Sequence, residues 1–157
     1  MSSYATPDGS RLEGLNRSLD RVVDLAQGGR WGRLWSRPLS YVTAMIMQYA
    51  WFPLTRREYI QEARTFFGVP MRLALPAGTD IYLTGAKAHD SELRLARFLI
   101  HALHEGDCFW DIGAHFGYFT LLAATSVGDK GKVYAFEPGE QTYAYLQYNV
   151  QQYPHIQ

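Results

Sequence analysis

The chain has 157 residues, of which 47% are hydrophobic and 19% are charged, with 15 Lys and Arg against 15 Asp and Glu. This length and composition predict one folded domain and exclude a disordered tail. The zero net charge indicates no overall attraction to nucleic acid, and we expect no nucleic-acid partner. The one cysteine, Cys108, excludes an internal disulfide framework and a multi-cysteine zinc site.

Charge is unevenly distributed along the chain. Residues 1–72 carry ten Arg and six acidic residues, whereas residues 73–157 have an excess of acids. Residues 1–10 are polar, predict a loose arm and show no targeting signal, so we expect a cytoplasmic protein. The uncharged run Leu39–Leu54 is shorter than the roughly 20 residues that a transmembrane helix needs. It predicts a buried or interfacial helix and no transmembrane segment.

Residues 1–70 are predicted to form a helical N-terminal region. Apolar residues recur at helical spacing over residues 11–27, and Gly28 is a typical helix terminator. Pro38 favours the start of a second helix that runs to about Phe52. Thr55 is a candidate N-cap for a third helix through Phe67.

Aromatic and arginine side chains are interleaved in this region, at Trp31, Trp35, Trp51, Phe52, Phe66 and Phe67 and at Arg30, Arg33, Arg37, Arg56 and Arg57. Such a pattern is found on RNA-stacking and membrane-interface surfaces. It is also found in helical subdomains that pack on a larger domain, with arginine stems covering apolar area. We expect the packing role.

Residues 71–89 are predicted to form a β-hairpin lead-in. Met71–Leu75 and Asp80–Leu83 alternate apolar and polar residues, and the segment between them is rich in turn formers. A helix is predicted over residues 90–104, capped by Asp90 or Ser91, with an apolar stripe formed by Leu95, Ala96, Leu99, Ile100 and Leu103. The polar segment 87–92 before it either caps this helix or places His89 or Glu92 in a lid.

Residues 90–157 are predicted to form the first half of a Rossmann-like domain. After the helix come strand Cys108–Ile112, helix Phe116–Ser126, strand Lys132–Glu137 and helix Gln141–Gln152. This βαβα order predicts an α/β fold with two parallel strands. Parallel sheets normally have more strands with both faces covered, so we expect the chain to be an incomplete domain, a fragment of a larger one.

Two acidic residues are predicted at the ends of the parallel strands. Asp111 ends the first strand, Gly113 permits a tight turn, and Gly117 permits close approach of a ligand or strand to the next helix. Glu137 ends the second strand. Because ligands of open α/β sheets bind at this edge, an acid there can accept hydrogen bonds from ribose hydroxyls.

The turn sequence favours one nucleoside ligand over another. It lacks the middle glycine of the dinucleotide fingerprint, and no P-loop sequence occurs in the chain. The charge of Asp111 would oppose a pyrophosphate, which argues against NAD. S-adenosylmethionine carries an ammonium and a sulfonium and no phosphate, so we expect this cofactor.

These residues also resemble a known family. Asp111-Ile112-Gly113-Ala114-His115-Phe116-Gly117-Tyr118-Phe119-Thr120, then Val133–Pro138, then Leu146 and Asn149, resemble the FkbM family of S-adenosylmethionine-dependent methyltransferases. The resemblance implies a class I methyltransferase fold, with Asp111, Gly113, Ala114 and Gly117 near the methionine part of the cofactor and His115 also among the cofactor-binding residues. It also implies that Glu137 binds the ribose, with Pro138 beside it.

One position departs from that family, where the usual Asn in the first turn is His115. Both residues tolerate a left-handed backbone, so the turn is expected to form. The resemblance implies methylation of a hydroxyl oxygen on a small metabolite or sugar. No general base can be named, because that family's substrate groups come from later strands. The alternative hypothesis is a non-catalytic binding or interaction module.

Overall fold

A computed structural model describes residues 9–27 and 38–157. The helices are α1 Gly9–Gln27, α2 Pro38–Ile46, α3 Phe52–Thr55, α4 Thr79–Thr84, α5 Asp90–Ala102, α6 Tyr118–Val127 and α7 Glu140–Val150, and a π-helical turn, Met47–Trp51, joins α2 to α3. The strands are β1 Tyr59–Arg64, β2 Pro70–Leu75, β3 Cys108–Ile112 and β4 Lys132–Phe136. The chain is therefore mixed α/β. The predicted stop at Gly28 and the arginine-aromatic pattern at 30–37 lie outside the described residues.

The β-hairpin exists, but it lies earlier than predicted. β1 pairs with β2 in antiparallel register, from Tyr59 opposite Leu75 to Arg64 opposite Pro70. The prediction of a helix from Thr55 to Phe67 is therefore wrong. Thr55 does not cap a helix; its hydroxyl donates to the carbonyl of Trp51, and helix α3 ends at this residue.

The predicted strand over residues 80–83 is also wrong, because this segment lies in helix α4. The Thr84 hydroxyl donates to the carbonyl of Asp80, and Ile81, Leu83 and Thr84 are buried against the rest of the chain. An apolar alternation only four residues long fits a strand and one helical turn equally well. The segment 71–89 therefore contributes one strand and one helix.

The first helices agree with the sequence pattern more closely. α1 begins at Gly9, so the predicted loose arm is helical at its last two residues. Pro53 does not stop the second helical segment, because it occupies the first turn of α3, where a missing N–H costs nothing. Within the described stretches, no helix combines the length and the apolar character that crossing a bilayer requires.

Helix α5 is confirmed, with two corrections. Its N-cap residue is His89, which makes no side-chain cap, so neither Asp90 nor Ser91 has the predicted role. Leu95 is 42% exposed, and Leu93 takes its place in the buried stripe. The main core gathers residues of α1, β2, α4, α5 and α6, and its most enclosed side chains include Leu19, Met71, Leu73, Leu75, Ile100, Leu121 and Leu122.

The βαβα order is confirmed. β3 and β4 are parallel, with Asp111 opposite Ala135 and Ile112 opposite Phe136. Helix α6 starts at Tyr118, two residues later than predicted, because Gly117 is in the left-handed conformation. Ile156 forms a parallel bridge to Val133 on the other edge of β4.

One face of this small parallel sheet remains open. Helix α6 packs on the face that carries Phe109 and Val133. On the opposite face, Trp110 is 60% exposed and Ile112 is 80% exposed. Cys108 belongs to the same open face and is exposed.

Candidate functional site at the end of the parallel strands

The register of the parallel strands brings the two predicted acids to one side of the sheet. Asp111 faces Ala135 across the pair, and Glu137 lies two residues beyond Ala135. Because side chains alternate between faces along a strand, Asp111 and Glu137 belong to the same face. This is the face on which α6 packs, opposite the exposed Trp110.

The loop of residues 113–117 connects β3 to α6 and lies between the two acids. The N–H groups of Gly113 and Ala114 both donate to the carbonyl of Phe136, at 2.8 and 3.0 Å. Three loop residues have positive φ, namely Gly113 at 84°, His115 at 54° and Gly117 at 87°. The expectation that His115 tolerates a left-handed backbone is confirmed.

Glu137 is held by backbone donors from both sides. Its Oε2 accepts the N–H of His115 at 2.8 Å, and its Oε1 accepts the N–H of Gly139 at 2.9 Å. The hydroxyl of Thr142 also donates to Oε1, at 3.2 Å. These donors stabilise the charged form, so the pKa of Glu137 is lowered, with the Gly139 N–H as the largest cause. A carboxylate oxygen can accept two hydrogen bonds, so Oε2, which accepts one, keeps capacity for a ligand.

Asp111 has a different environment. Its Oδ2 accepts a hydrogen bond from the hydroxyl of Thr120 in α6, and the backbone N–H of Thr120 also donates to this carboxylate. Burial raises the pKa of Asp111, and this effect outweighs the Thr120 hydrogen bond and the positive charge of Lys87, which lower it. The fold therefore holds a partly buried carboxylate whose neighbouring donors do not offset the effect of its burial.

Helix α7 fixes the loop from the outside. Asn149 is 4% exposed, and its Nδ2 donates to the carbonyls of Phe116 and Arg72, both at 2.8 Å. Its Oδ1 accepts the N–H of Arg72 at 2.7 Å. A Cβ atom on Gly117 would lie 2.8 Å from Cδ1 of Leu146. Asn149 thus ties the loop to β2, and Gly117 is required for the approach of α7.

The loop of residues 113–117 has more acidic than basic side chains near it. Lys87 forms an ion pair with Glu92, with 3.1 Å between Nζ and Oε1. The imidazole of His115 interacts with Lys87 and with three carboxylates, those of Glu137, Glu58 and Glu92. Burial is the main cause that lowers the pKa of His115, and Lys87 adds to it. With Asp111, one lysine faces four acids, which favours a cationic ligand over an anionic one.

The predicted site residues therefore divide into two groups. Gly113 and Pro138 are exposed, and nothing lies within 4 Å of the position that a Cβ would take on Gly113. Ala114 is only 5% exposed, and Gly117 is covered by Leu146, so these two shape the loop. Nδ1 of His115 is buried and has no hydrogen-bond partner among the described residues. Asp111, Gly113, His115, Glu137 and Pro138 remain as candidates for ligand contact.

Sequence reasoning missed the residues that reach the site from far along the chain. Glu58 precedes β1, and its Oε2 accepts hydrogen bonds from Gln141 Nε2 and the Tyr145 hydroxyl, at 2.7 and 3.2 Å. Lys87 lies in segment 87–92, for which the sequence predicts either a helix cap or a lid. Asn149 belongs to the sequence motif that resembles the FkbM family, but only the structure shows which groups its side chain contacts. Spacing alone gives no signal for Glu58.

No family model, curated protein or solved structure matches the chain. Across the two stretches that the structure describes, no group of three or more His, Cys, Asp or Glu side chains is arranged to hold a metal ion.

Proposed function

We propose that this strand-end site binds S-adenosylmethionine and that the chain carries the cofactor-binding part of a Rossmann-like methyltransferase domain. The observation that carries the proposal is the loop of residues 113–117, which has Asp111 at its root and Glu137 hydrogen-bonded to its middle. No atom lies within 4 Å of the position that a Cβ would take on its first glycine, Gly113. This arrangement combines an approachable backbone with two acids on one face of the sheet.

The charge around the loop supports this ligand over a dinucleotide. Lys87 acts on both Asp111 and His115, and three carboxylates, those of Glu58, Glu92 and Glu137, act on His115. A pyrophosphate placed there would meet like charge, whereas an α-ammonium or a sulfonium would meet opposite charge. A partly buried carboxylate whose pKa is raised by burial, such as Asp111, is the type of group that a cationic ligand satisfies.

Different residues of the site are candidates for binding different parts of the cofactor. Asp111 would accept hydrogen bonds from the methionine ammonium, and Nδ1 of His115, buried without a partner among the described residues, would accept a further donor. Glu137 keeps acceptor capacity for the ribose hydroxyls, with Pro138 beside it. When bound, S-adenosylmethionine supplies a methyl group on a positively charged sulfur. We propose a hydroxyl oxygen of a small metabolite or sugar as the acceptor, and we assign no general base.

The open face of the parallel sheet favours a second candidate function. Trp110, Ile112 and Phe136 are 60%, 80% and 46% exposed, and they form a continuous apolar surface in which the Trp110 and Phe136 rings are 5.6 Å apart. Such a patch is typical of an interaction surface. A non-catalytic binding module would use this face and would not need the acids of the opposite one.

A thermal-shift experiment on the full chain separates the two candidates. S-adenosylhomocysteine should raise the melting temperature saturably, because a ligand that binds only the folded state stabilises it. NAD at equal concentration should give no shift, because of its pyrophosphate. A shift with NAD, or none with S-adenosylhomocysteine at any concentration, would reject the proposed cofactor.

A further inference from the structure

The helical segment Pro38–Thr55 has an inner face that packs on the domain. Ala44 is fully buried, and Met47 packs against the main core. Tyr41 and Met45 line a cleft of about 320 Å³ together with Thr79 and Leu83 of α4. One side of this segment is therefore fixed on the fold.

The outer face of the same segment is apolar and exposed. The exposed fractions are 84% for Leu39, 49% for Val42, 51% for Ile46, 69% for Tyr49 and 83% for Leu54. Trp51 is 41% exposed. The expectation that this aromatic-rich segment packs on the domain is therefore correct for only one of its faces. A run of aliphatic side chains exposed to this extent marks a binding surface.

The charged residues that precede and directly follow this segment in the sequence are arginines. From Leu25 to Arg57 the sequence contains five arginines and no acidic residue, whereas the whole chain has equal numbers of acidic and basic residues. Arg56 and Arg57 are exposed and directly follow helix α3. No charged residue occurs between Pro38 and Thr55. In the sequence the apolar segment is thus flanked by arginines on both sides, while Glu58 follows Arg57 and Asp80 of α4 lines the cleft beside Tyr49.

We propose that the segment Pro38–Arg57, with its exposed apolar face, binds the surface of an anionic lipid bilayer. Leu39, Ile46 and Leu54 would enter the boundary between headgroups and acyl chains, and Arg56 and Arg57 would contact lipid phosphates. Tyr49 and Trp51 suit this boundary, because aromatic side chains of this kind are enriched there. The absence of acids over this length fits a continuous negative surface, which lipid headgroups provide. The inference is independent of the proposed cofactor.

Co-sedimentation of the full chain with vesicles tests the proposal. Vesicles of equal parts phosphatidylcholine and phosphatidylglycerol should bind the protein, and binding should weaken as salt rises, because salt screens exposed charges. Vesicles of phosphatidylcholine alone should bind much less. Absence of binding to the anionic vesicles at low salt would overturn the proposal.

Two pairs of variants separate the apolar and the charged contributions. The double variant Leu39→Ser/Leu54→Ser should weaken vesicle binding on the order of 100-fold, because two leucines leave the bilayer. Arg56→Gln/Arg57→Gln should weaken it on the order of tenfold on anionic vesicles. Matched controls on other surfaces are Phe98→Ser, at a side chain that is 65% exposed on α5, and Arg11→Gln/Arg17→Gln on α1. Equal loss in variants and controls would overturn the proposal.

A labelling experiment does not depend on the folding of these variants. In a Cys108→Ser background, Ile46→Cys or Phe98→Cys would carry a polarity-sensitive fluorophore. Emission from position 46 should shift to the blue with anionic vesicles, and emission from position 98 should not. If light scattering instead shows a dimer that Leu39→Ser/Leu54→Ser dissociates, without a spectral shift on vesicles, the face binds a second copy and the lipid proposal is wrong.

Discussion

The ends of β3 and β4 each present a carboxylate, but the fold treats the two groups in opposite ways. Glu137 accepts two backbone N–H groups and a hydroxyl, and its pKa is lowered. Asp111 accepts the hydroxyl and the backbone N–H of Thr120, and burial raises its pKa. Glu137 thus stabilises the loop of residues 113–117, whereas the charge of Asp111 costs stability. A carboxylate that stays in the fold although its charge destabilises the folded state is a candidate for binding a ligand.

The largest expected effect on stability comes from removing the side chain of Asn149, which attaches the loop of residues 113–117 to α7. Asn149→Ala removes three hydrogen bonds from a buried site and leaves the carbonyl of Phe116 without this donor. We expect a loss of about 3 kcal/mol in the free energy of unfolding, measured by urea titration. Gln147→Ala, at an exposed position of the same helix, is the control and should cost less than about 0.5 kcal/mol. A loss as small as that of the control would show that the loop does not depend on Asn149.

Glu137→Gln tests the stabilising acid. At pH 7 the variant should lose about 1–2 kcal/mol, because an amide replaces a charged acceptor of backbone N–H groups. The folded-state pKa lies below its ordinary value of 4.5, so this stabilisation is present above pH 4.5 and is lost as the pH falls through the folded-state pKa. The difference between wild type and variant should therefore shrink at acidic pH. A difference that does not depend on pH would contradict the assignment.

Asp111→Asn tests the acid that is held at a cost, and the expected effect is smaller and of opposite sign. The folded-state pKa is raised, so the favourable contribution is present below about 3.8 and is lost as the pH rises through the folded-state pKa. Asn keeps an acceptor for the Thr120 hydroxyl without the charge. Urea titration at pH 7 should show a gain on the order of 0.5 kcal/mol. A clear destabilisation at pH 7 would make Asp111 a structural residue.

The sequence predicted the parts of this fold that have long or punctuated patterns. β3 was predicted with its exact bounds, because an apolar run ends in Asp111 and Gly113. β1 and α4 could not be predicted from the sequence, because each is only six residues long. Whether such a short segment forms a strand or a helix depends on the part of the fold that packs beside it. β1 is a strand because β2 lies beside it, and α4 is a helix because its apolar residues are buried against the domain.

The candidate site was predictable to the same degree. The strand-end acids and the glycine turn are local in sequence, and the structure brings them together. Their opposite environments were not predictable, because these depend on burial and on partners such as Lys87 and Glu58 from distant segments. The same limit applies to Gly117, whose neighbour is Leu146 of α7.

The central claim is that Asp111 and Glu137 together hold a nucleoside ligand that carries an α-ammonium group. Isothermal titration of S-adenosylhomocysteine into wild type, Asp111→Asn, Glu137→Gln and the control Glu105→Gln tests it most directly, since Glu105 is an exposed acid paired with Lys130. We predict that each site variant binds at least about tenfold more weakly, as loss of a charged hydrogen bond implies, while the control binds like wild type. Wild-type affinity in both site variants would contradict the account.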